Sequence, residues 1–422
     1  MMLHSFSRRV RLLLLLISMM GLGGCASLME VVPAPPGFLV TVQLDGPYDA
    51  DIPPMQANQI KNAGRMSDWA VPYIFLRVAT DFESVGDEER SLHFFDRAIH
   101  EFRRRNNLSG EGTALSRKIS ALIHFGRFQT AYLVTEELAK KWTSPPFSAF
   151  VFYNYAYCHQ KKGDYVKARE YFRQALAAGE DQSDDPDLMA LRRDTELGYG
   201  MNLILADYLS AVSGRLCRLD FDDDFYQQIR RNMPDAMFHW DQVSALNAKI
   251  QKTKVRRFFP EIIPSLMACD VLNYRGLSFG IDGKAPEAFK NLETSARIAR
   301  KAGYRLGEAD NIFFLSHVYL LDKNRRSEGL QAVKALAEMA GRYQLVSYSI
   351  WAEMILAHYD KAAGETARAV KAMDKALELM EKNVSWFSRE ADARGIGFFN
   401  GQVIYETLLE MHVSGGRKQE AF

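Results

Sequence analysis

Cysteine is scarce in this chain, and so are the residue groupings that usually carry catalysis. Four cysteines in 422 residues exclude a fold stapled together by disulfides. His-Glu-x-x-His and Walker patterns are missing, which removes the usual signatures of zinc proteases and P-loop nucleotide enzymes. A strand-to-helix nucleophile elbow is not expected either. Nine histidines stand singly, so neither a metal nor any other cofactor is expected. His159 and His358 read as packing or groove residues inside helices. The acidic run at 220–225 (DFDDDF) has no glycine at its sixth place and Arg231 at its twelfth, where a calcium loop needs glycine and glutamate. A formal charge of +1 leaves no electrostatic footprint for nucleic acid. The longest apolar run is Leu12 to Met20, far short of the roughly 20 residues that span a bilayer.

That short run is nevertheless informative. Arg8, Arg9 and Arg11 precede it and Leu22-Gly23-Gly24-Cys25 follows, the order of a secretory leader. The tetrapeptide resembles the lipobox of bacterial lipoproteins. The resemblance implies cleavage before Cys25, lipidation of its thiol and export to the cell envelope. Ala26, in place of Asp, implies the outer membrane, facing the periplasm. Removing residues 1–24 takes away three arginines and no acid, so the charge falls from +1 to −2. Cys158, Cys217 and Cys269 remain. They are odd in number, widely spaced and in apolar helical surroundings, and read as buried free thiols.

Residues 25–65 are expected to be a linker. Six of the 14 prolines lie between positions 28 and 60, which favours an extended, semi-rigid tether. Within it FLVTVQL is rich enough in β-branched and apolar residues for one short strand.

From about Trp69 onward apolar residues recur three and four apart, the helical spacing. One box keeps returning: Gly, four residues, then a small residue. It ends at Ser91, Ala131, Ala168, Ala288, Ala369 and Ala421, with a variant ending at Gly329. The steps 91 to 131, 131 to 168, 288 to 329 and 329 to 369 are 40, 37, 41 and 40 residues, and the gap from 168 to 288 holds three more. Glycine suits the left-handed turn that ends one helix. The small residue lies where the next helix presses on the first. Four residues later Phe95, Phe172, Leu292 or Met373 fills the space beneath. Three more bring Ala98, Ala175, Ser295 or Ala376, small for the next contact. The expected fold is all-α: an α-solenoid of helix pairs with a period near 40 residues over 66–422, irregular at 180–265. There Asp185 and Pro186 form a good helix start.

This layout resembles the tetratricopeptide repeat (TPR), best at 152–179 (FYNYAYCHQKKGDYVKAREYFRQALAAG). The period exceeds the standard 34 residues of that repeat. The C-terminal stretch 391–422 also resembles the last TPR unit before the peptidase-like domain of CHAT-domain proteins. Phe398, Phe399, Tyr405, Glu406, Leu408, Gly416, Arg417, Glu420, Ala421 and Phe422 carry that likeness. By this reading the last repeat is incomplete. No catalytic residue of the CHAT family has a counterpart in this chain.

The function expected is binding without catalysis. First helices of such pairs line the concave side of a solenoid. The side chains assigned to that groove are Phe150, Tyr153, Tyr157, Gln160 and Lys161, with Trp351, Met354, His358 and Lys361. Aromatics beside lysines suit an extended peptide or a helix. The expected partner is therefore a protein or peptide, with the membrane reached through lipidated Cys25. The alternative is the regulatory TPR stalk of a CHAT-type cysteine protease. The basic runs EFRRRNN and KIQKTKVRRFF read as solvated helix faces.

Overall fold

In a computed structural model of the chain, the residues described are 44, 46–61, 68–84, 87–125, 127–161, 164–179, 184–213, 227, 230–253, 262–302, 305–342 and 345–387. The leader, Cys25, Cys217, the acidic run, the stretch 254–259 and the CHAT-like end lie outside them, as does the FLVTVQL strand except for Leu44.

The chain divides into two units, Met1–Ile74 and Phe75–Phe422. In the first, a 3-10 turn at Asp49–Asp51 follows Tyr48, whose φ of 66° is left-handed. The Asp49 carboxylate accepts from the Gly46 amide at 2.9 Å. Helix α1 (Pro54–Lys61) comes next, burying Gln56 and Ile60. The expectation of an extended linker through residue 65 is corrected here. Pro54 occupies the first helical position, where a missing N–H costs nothing and φ is already set. Proline in this segment therefore starts a helix.

The unit boundary falls within helix α2 (Val71–Ser84). Beyond it come α3 (Glu88–Arg104), α4 (Leu108–His124), α5 (Phe128–Lys141), α6 (Ser148–Lys161), α7 (Tyr165–Ala178), α8 (Pro186–Ser213), α9 (Met233–Ile250) and α10 (Ile262–Ile281). α11 (Ala285–Ala302), α12 (Arg305–Leu321), α13 (Arg326–Arg342), α14 (Val346–Ala362) and α15 (Thr366–Phe387) complete the series. No strand occurs among the described residues. Neighbouring helices pack as pairs, α4 with α5, α6 with α7, α8 with α9, α10 with α11, α12 with α13 and α14 with α15. The second unit is an all-α solenoid.

The recurring box sits at the turn inside the pairs that carry it, α8 with α9 being without one, as its chemistry requires. Gly283 and Gly364 have φ of 74° and 81°, the left-handed values that glycine adopts without strain. In two copies the residue after glycine is the cap: Asp87 accepts from the Arg90 amide at 3.1 Å and Asp164 from the Lys167 amide at 3.2 Å. Ser91, Ala131, Ala168, Ala288, Gly329 and Ala369 are all buried. So are the fillers Phe95, Phe172, Leu292 and Met373, and the second small set Ala98, Ala175, Ser295 and Ala376. Size matters at these contacts. A Cβ on Gly112 of α4 would lie 2.7 Å from the Phe150 ring of α6, and one on Gly198 of α8 would lie 2.6 Å from Phe172 of α7.

The irregular stretch holds the long helix α8 and its partner α9. Asp185 caps α8 by accepting from the amides of Asp187 (2.8 Å) and Leu188 (3.3 Å), and Pro186 is its first residue. Cys158 and Cys269 are buried thiols outside any disulfide, and burial pushes the Cys269 thiol up to about 11. The arginines of EFRRRNN are not simply solvated. Arg103 pairs with Glu111 at 2.7 Å, and Arg104 and Arg105 both pair with Glu101.

Candidate functional site

Polar side chains join consecutive first helices with a step close to the repeat. Asn154 of α6 donates to Ser116 of α4 at 3.0 Å. Gln160 of α6 donates to the Gly198 carbonyl of α8 at 2.9 Å. Asn311 of α12 donates to Asn273 of α10 at 3.0 Å. Each spans 38 residues. These buried bonds set the register in which the first helices lie side by side, and an unmade one would leave a costly orphan.

The register brings a row of half-exposed groups together. On α6, Tyr153, Tyr157 and Lys161 are four residues apart and share one stripe. The two tyrosine rings stack at 6.2 Å, and the Lys161 ammonium lies 5.2 Å from the Tyr157 ring centre. The Tyr157 hydroxyl is 3.2 Å from Nε2 of His124 on α4, whose Nδ1 is 2.6 Å from Glu83 on α2. Ser120 lies 3.4 Å from the same hydroxyl. Arg117 of α4 reaches Asp194 of α8 at 3.2 Å. On the far side, Tyr348 of α14 donates to Asp310 of α12, and α10, which carries Asp270, packs against α12.

The charges of these groups influence one another. Burial would lower the His124 pKa, but Tyr157 and Glu83 outweigh it and raise it to about 9. Burial would raise the Tyr157 phenol, yet Lys161 and His124 bring it below its usual value. Lys161 is raised by Tyr157 and also by Asp310 and Asp270. Burial, then Asp310, push Asp270 up to about 8, and Asp310 is raised by burial. Lys161 of α6 thus senses carboxylates on α10 and α12. These first helices converge on one inner face.

The sequence-assigned groove residues divide on this face. Tyr153, Tyr157 and Lys161 lie on the row. Trp351 is half-buried and meets Phe313 of α12 edge-on at 5.7 Å; Lys361 is half-buried on α14. The other four do not present free side chains. Phe150 is 1 % exposed and packs on Trp142 at 5.7 Å. Met354 is 1 % exposed in the core between α14 and α15. His358 is buried, and Gln160 is spent on the Gly198 carbonyl. The reason is local packing. Positions 150 and 160 share the stripe of 153, 157 and 161, but Trp142 and Gly112 close over Phe150 and the Gly198 carbonyl takes Gln160. His159 packs against Tyr171 at 5.5 Å.

Sequence reasoning missed Glu83, Arg117, His124, Asp194, Asp270, Asp310 and Tyr348. Charged residues on a helix surface carry no local signal of meeting across four helices. Gly276-Leu277-Ser278-Phe279-Gly280 has Gly-x-Ser-x-Gly spacing. It is no nucleophile elbow, since Ser278 is 1 % exposed within α10. Gly276 packs on Leu292 and Gly280 on Val318. Among the described residues no group of three or more His, Cys, Asp or Glu could hold a metal ion.

Residues 149–181 match the tetratricopeptide repeat family, covering α6, its turn and α7. A similar solved structure is the crystal structure of Rap protein complexed with competence and sporulation factor. It is 12% identical and covers 81% of this chain and 99% of that one, with a TM-score of 0.34, too distant to carry function across. No curated protein matches the chain. The chain carries a tetratricopeptide repeat inside an array of similarly built helix pairs. Its class is the α-helical repeat array.

Proposed function

We propose that this protein is a lipid-anchored TPR scaffold that binds an extended segment of another protein along its inner face, without catalysis. The supporting observation is the convergence of Tyr153, Tyr157, Lys161, Asp270, Asp310 and Tyr348 from α6, α10, α12 and α14. All six side chains are only partly buried, although Tyr153 and Tyr348 also pack against the edge of the core. Tyrosine rings give contact area at low entropy cost, and fixed charges select the partner. The resemblance of residues 22–25 to a lipobox supports attachment of Cys25 to the outer membrane, and a periplasmic inner face belongs to the same reading.

The test is site-specific photocrosslinking in cells. A photoreactive phenylalanine replaces Tyr153 on the inner face or Val166, which is 83% exposed on α7. Adducts at 153 and none at 166 are expected. Adducts at 166 alone would remove the reading. Anchoring is checked separately: Cys25→Ala should abolish labelling by radioactive palmitate. Palmitate labelling that persists in Cys25→Ala would refute the anchor without touching the binding face.

A further inference from the structure

Side chains of α2, α4 and α6 meet around the phenol of Tyr157. Glu83 lies 2.6 Å from Nδ1 of His124, and Nε2 of the same ring lies 3.2 Å from the Tyr157 hydroxyl. Ser120, one turn before His124, stands 3.4 Å from that hydroxyl. The Lys161 ammonium sits 5.2 Å from the ring centre. The His124 side chain is 41% exposed, so this chain of groups is open to a dissolved reagent.

The order carboxylate, imidazole, phenol fixes where a proton can go. A carboxylate only accepts, so Glu83 holds the proton on Nδ1 and turns Nε2 toward the phenol. When Nε2 takes the phenol's proton, Glu83 faces the charged ring and Lys161 faces the phenolate. Ser120 donates to the phenol oxygen and supports the same charge. The shifts run in that direction: Lys161 and His124 overcome burial to lower Tyr157, and Tyr157 and Glu83 overcome burial to raise His124. Two tyrosines of the same helix go the other way. Burial raises Tyr153, and burial with Tyr132 pushes Tyr155 up to about 12. A merely structural bond needs only Tyr157 and His124. The carboxylate behind the imidazole and the ammonium over the ring are the additions that make an oxygen nucleophilic.

We propose that Tyr157 is a nucleophilic modification site, which accepts a phosphoryl or sulfonyl group on its phenol oxygen while His124 takes the proton. The oxygen bonds to the tetrahedral phosphorus or sulfur. The bond from that atom to its leaving group breaks, and the leaving group departs with the electron pair. The proton on Nε2 then passes to water. Each chain takes one group and turns none over, so the proposal goes beyond the peptide-binding reading and does not rest on it.

The probe is benzenesulfonyl fluoride, added to the purified full-length protein in detergent near neutral pH, with fluoride as leaving group. Adducts are mapped by mass spectrometry after digestion, and diisopropyl fluorophosphate reads the phosphorus case in the same way. Tyr153 and Tyr155 serve as internal controls. Tyr157 should be labelled at least about tenfold faster than either, a modest share of what a positioned base supplies. His124→Phe and Lys161→Met should each slow labelling at Tyr157 at least about fivefold and leave the rate at Tyr155 unchanged, a pattern that damage to the fold would not produce. Equal rates at the three tyrosines, an adduct on Lys161 in place of Tyr157, or a Tyr157 rate indifferent to either substitution would overturn the proposal. Photocrosslinking at position 153 reads the binding face separately, so each reading can fail alone.

Discussion

Arg117 and Asp194 meet at 3.2 Å although α6 lies between the helices that carry them. Both α4 and α8 pack against α6, and they also touch one another directly, which brings the two side chains within bonding distance. Burial would lower the Arg117 pKa, but Asp194 outweighs it and raises it. The same convergence lets Lys161 act on Asp310. A stripe of ordinary surface residues on several helices thereby becomes one face.

The pairwise packing predicts which substitutions hurt. Phe172→Ala should cost about 3–5 kcal/mol, because the ring is fully buried among α6, α7 and α8. Gly112→Ala should cost about 1–3 kcal/mol, since its new methyl meets the Phe150 ring. Val166→Ala on the exposed face of α7 should stay within about 0.5 kcal/mol. Urea denaturation of the three variants checks the order.

Much of this fold is legible in the sequence, and the reason is local. Gly283 and Gly364 must turn left-handed, and Ala168, Ala288 and Ala369 must be small, because each touches its own helix pair a few residues away. Pro54 misled in the tether because one proline suits both an extended linker and a helix start. The binding face is half legible. Tyr153, Tyr157 and Lys161 show as a period-four stripe on α6. Asp194, Asp270 and Asp310 do not, since their grouping depends on how successive pairs lean, which is set by contacts such as Gly112 with Phe150 and Asn311 with Asn273.

Two buried groups give opposite pH dependence. His317 is buried and its pKa falls to about 4, through burial opposed by its bond to the Phe313 carbonyl. With an ordinary value of 6.5 when unfolded, it contributes stability above pH 6.5 that is lost as pH falls toward 4, up to about 3 kcal/mol. Asp270 works the other way. Its folded pKa of about 8 lies above the unfolded 3.8, so its share is present at low pH and disappears as pH rises through 8. Asp270→Asn should therefore melt higher than the parent at pH 9 and no higher at pH 4. His317→Asn should flatten the loss between pH 6.5 and 4. Thermal melts across pH read both.

His124 offers a spectroscopic check on the row. Its imidazole should titrate near 9 because Tyr157 and Glu83 outweigh burial. Glu83→Gln should move the titration back toward the ordinary histidine range, followed by NMR of the ring carbons. An unchanged midpoint would mean that Glu83 and His124 do not meet.

The central claim is that the first helices lean onto one shared face, and a double-mutant cycle on Arg117 and Asp194 tests it most directly. Arg117→Gln, Asp194→Asn and the double variant are compared by denaturant unfolding, which also cancels the loss of the bond between Asp194 and Arg193. A coupling of about 1 kcal/mol or more is expected, with the double variant less destabilised than the sum of the singles. Strictly additive losses would show that the two side chains never meet, and the shared face would go with them.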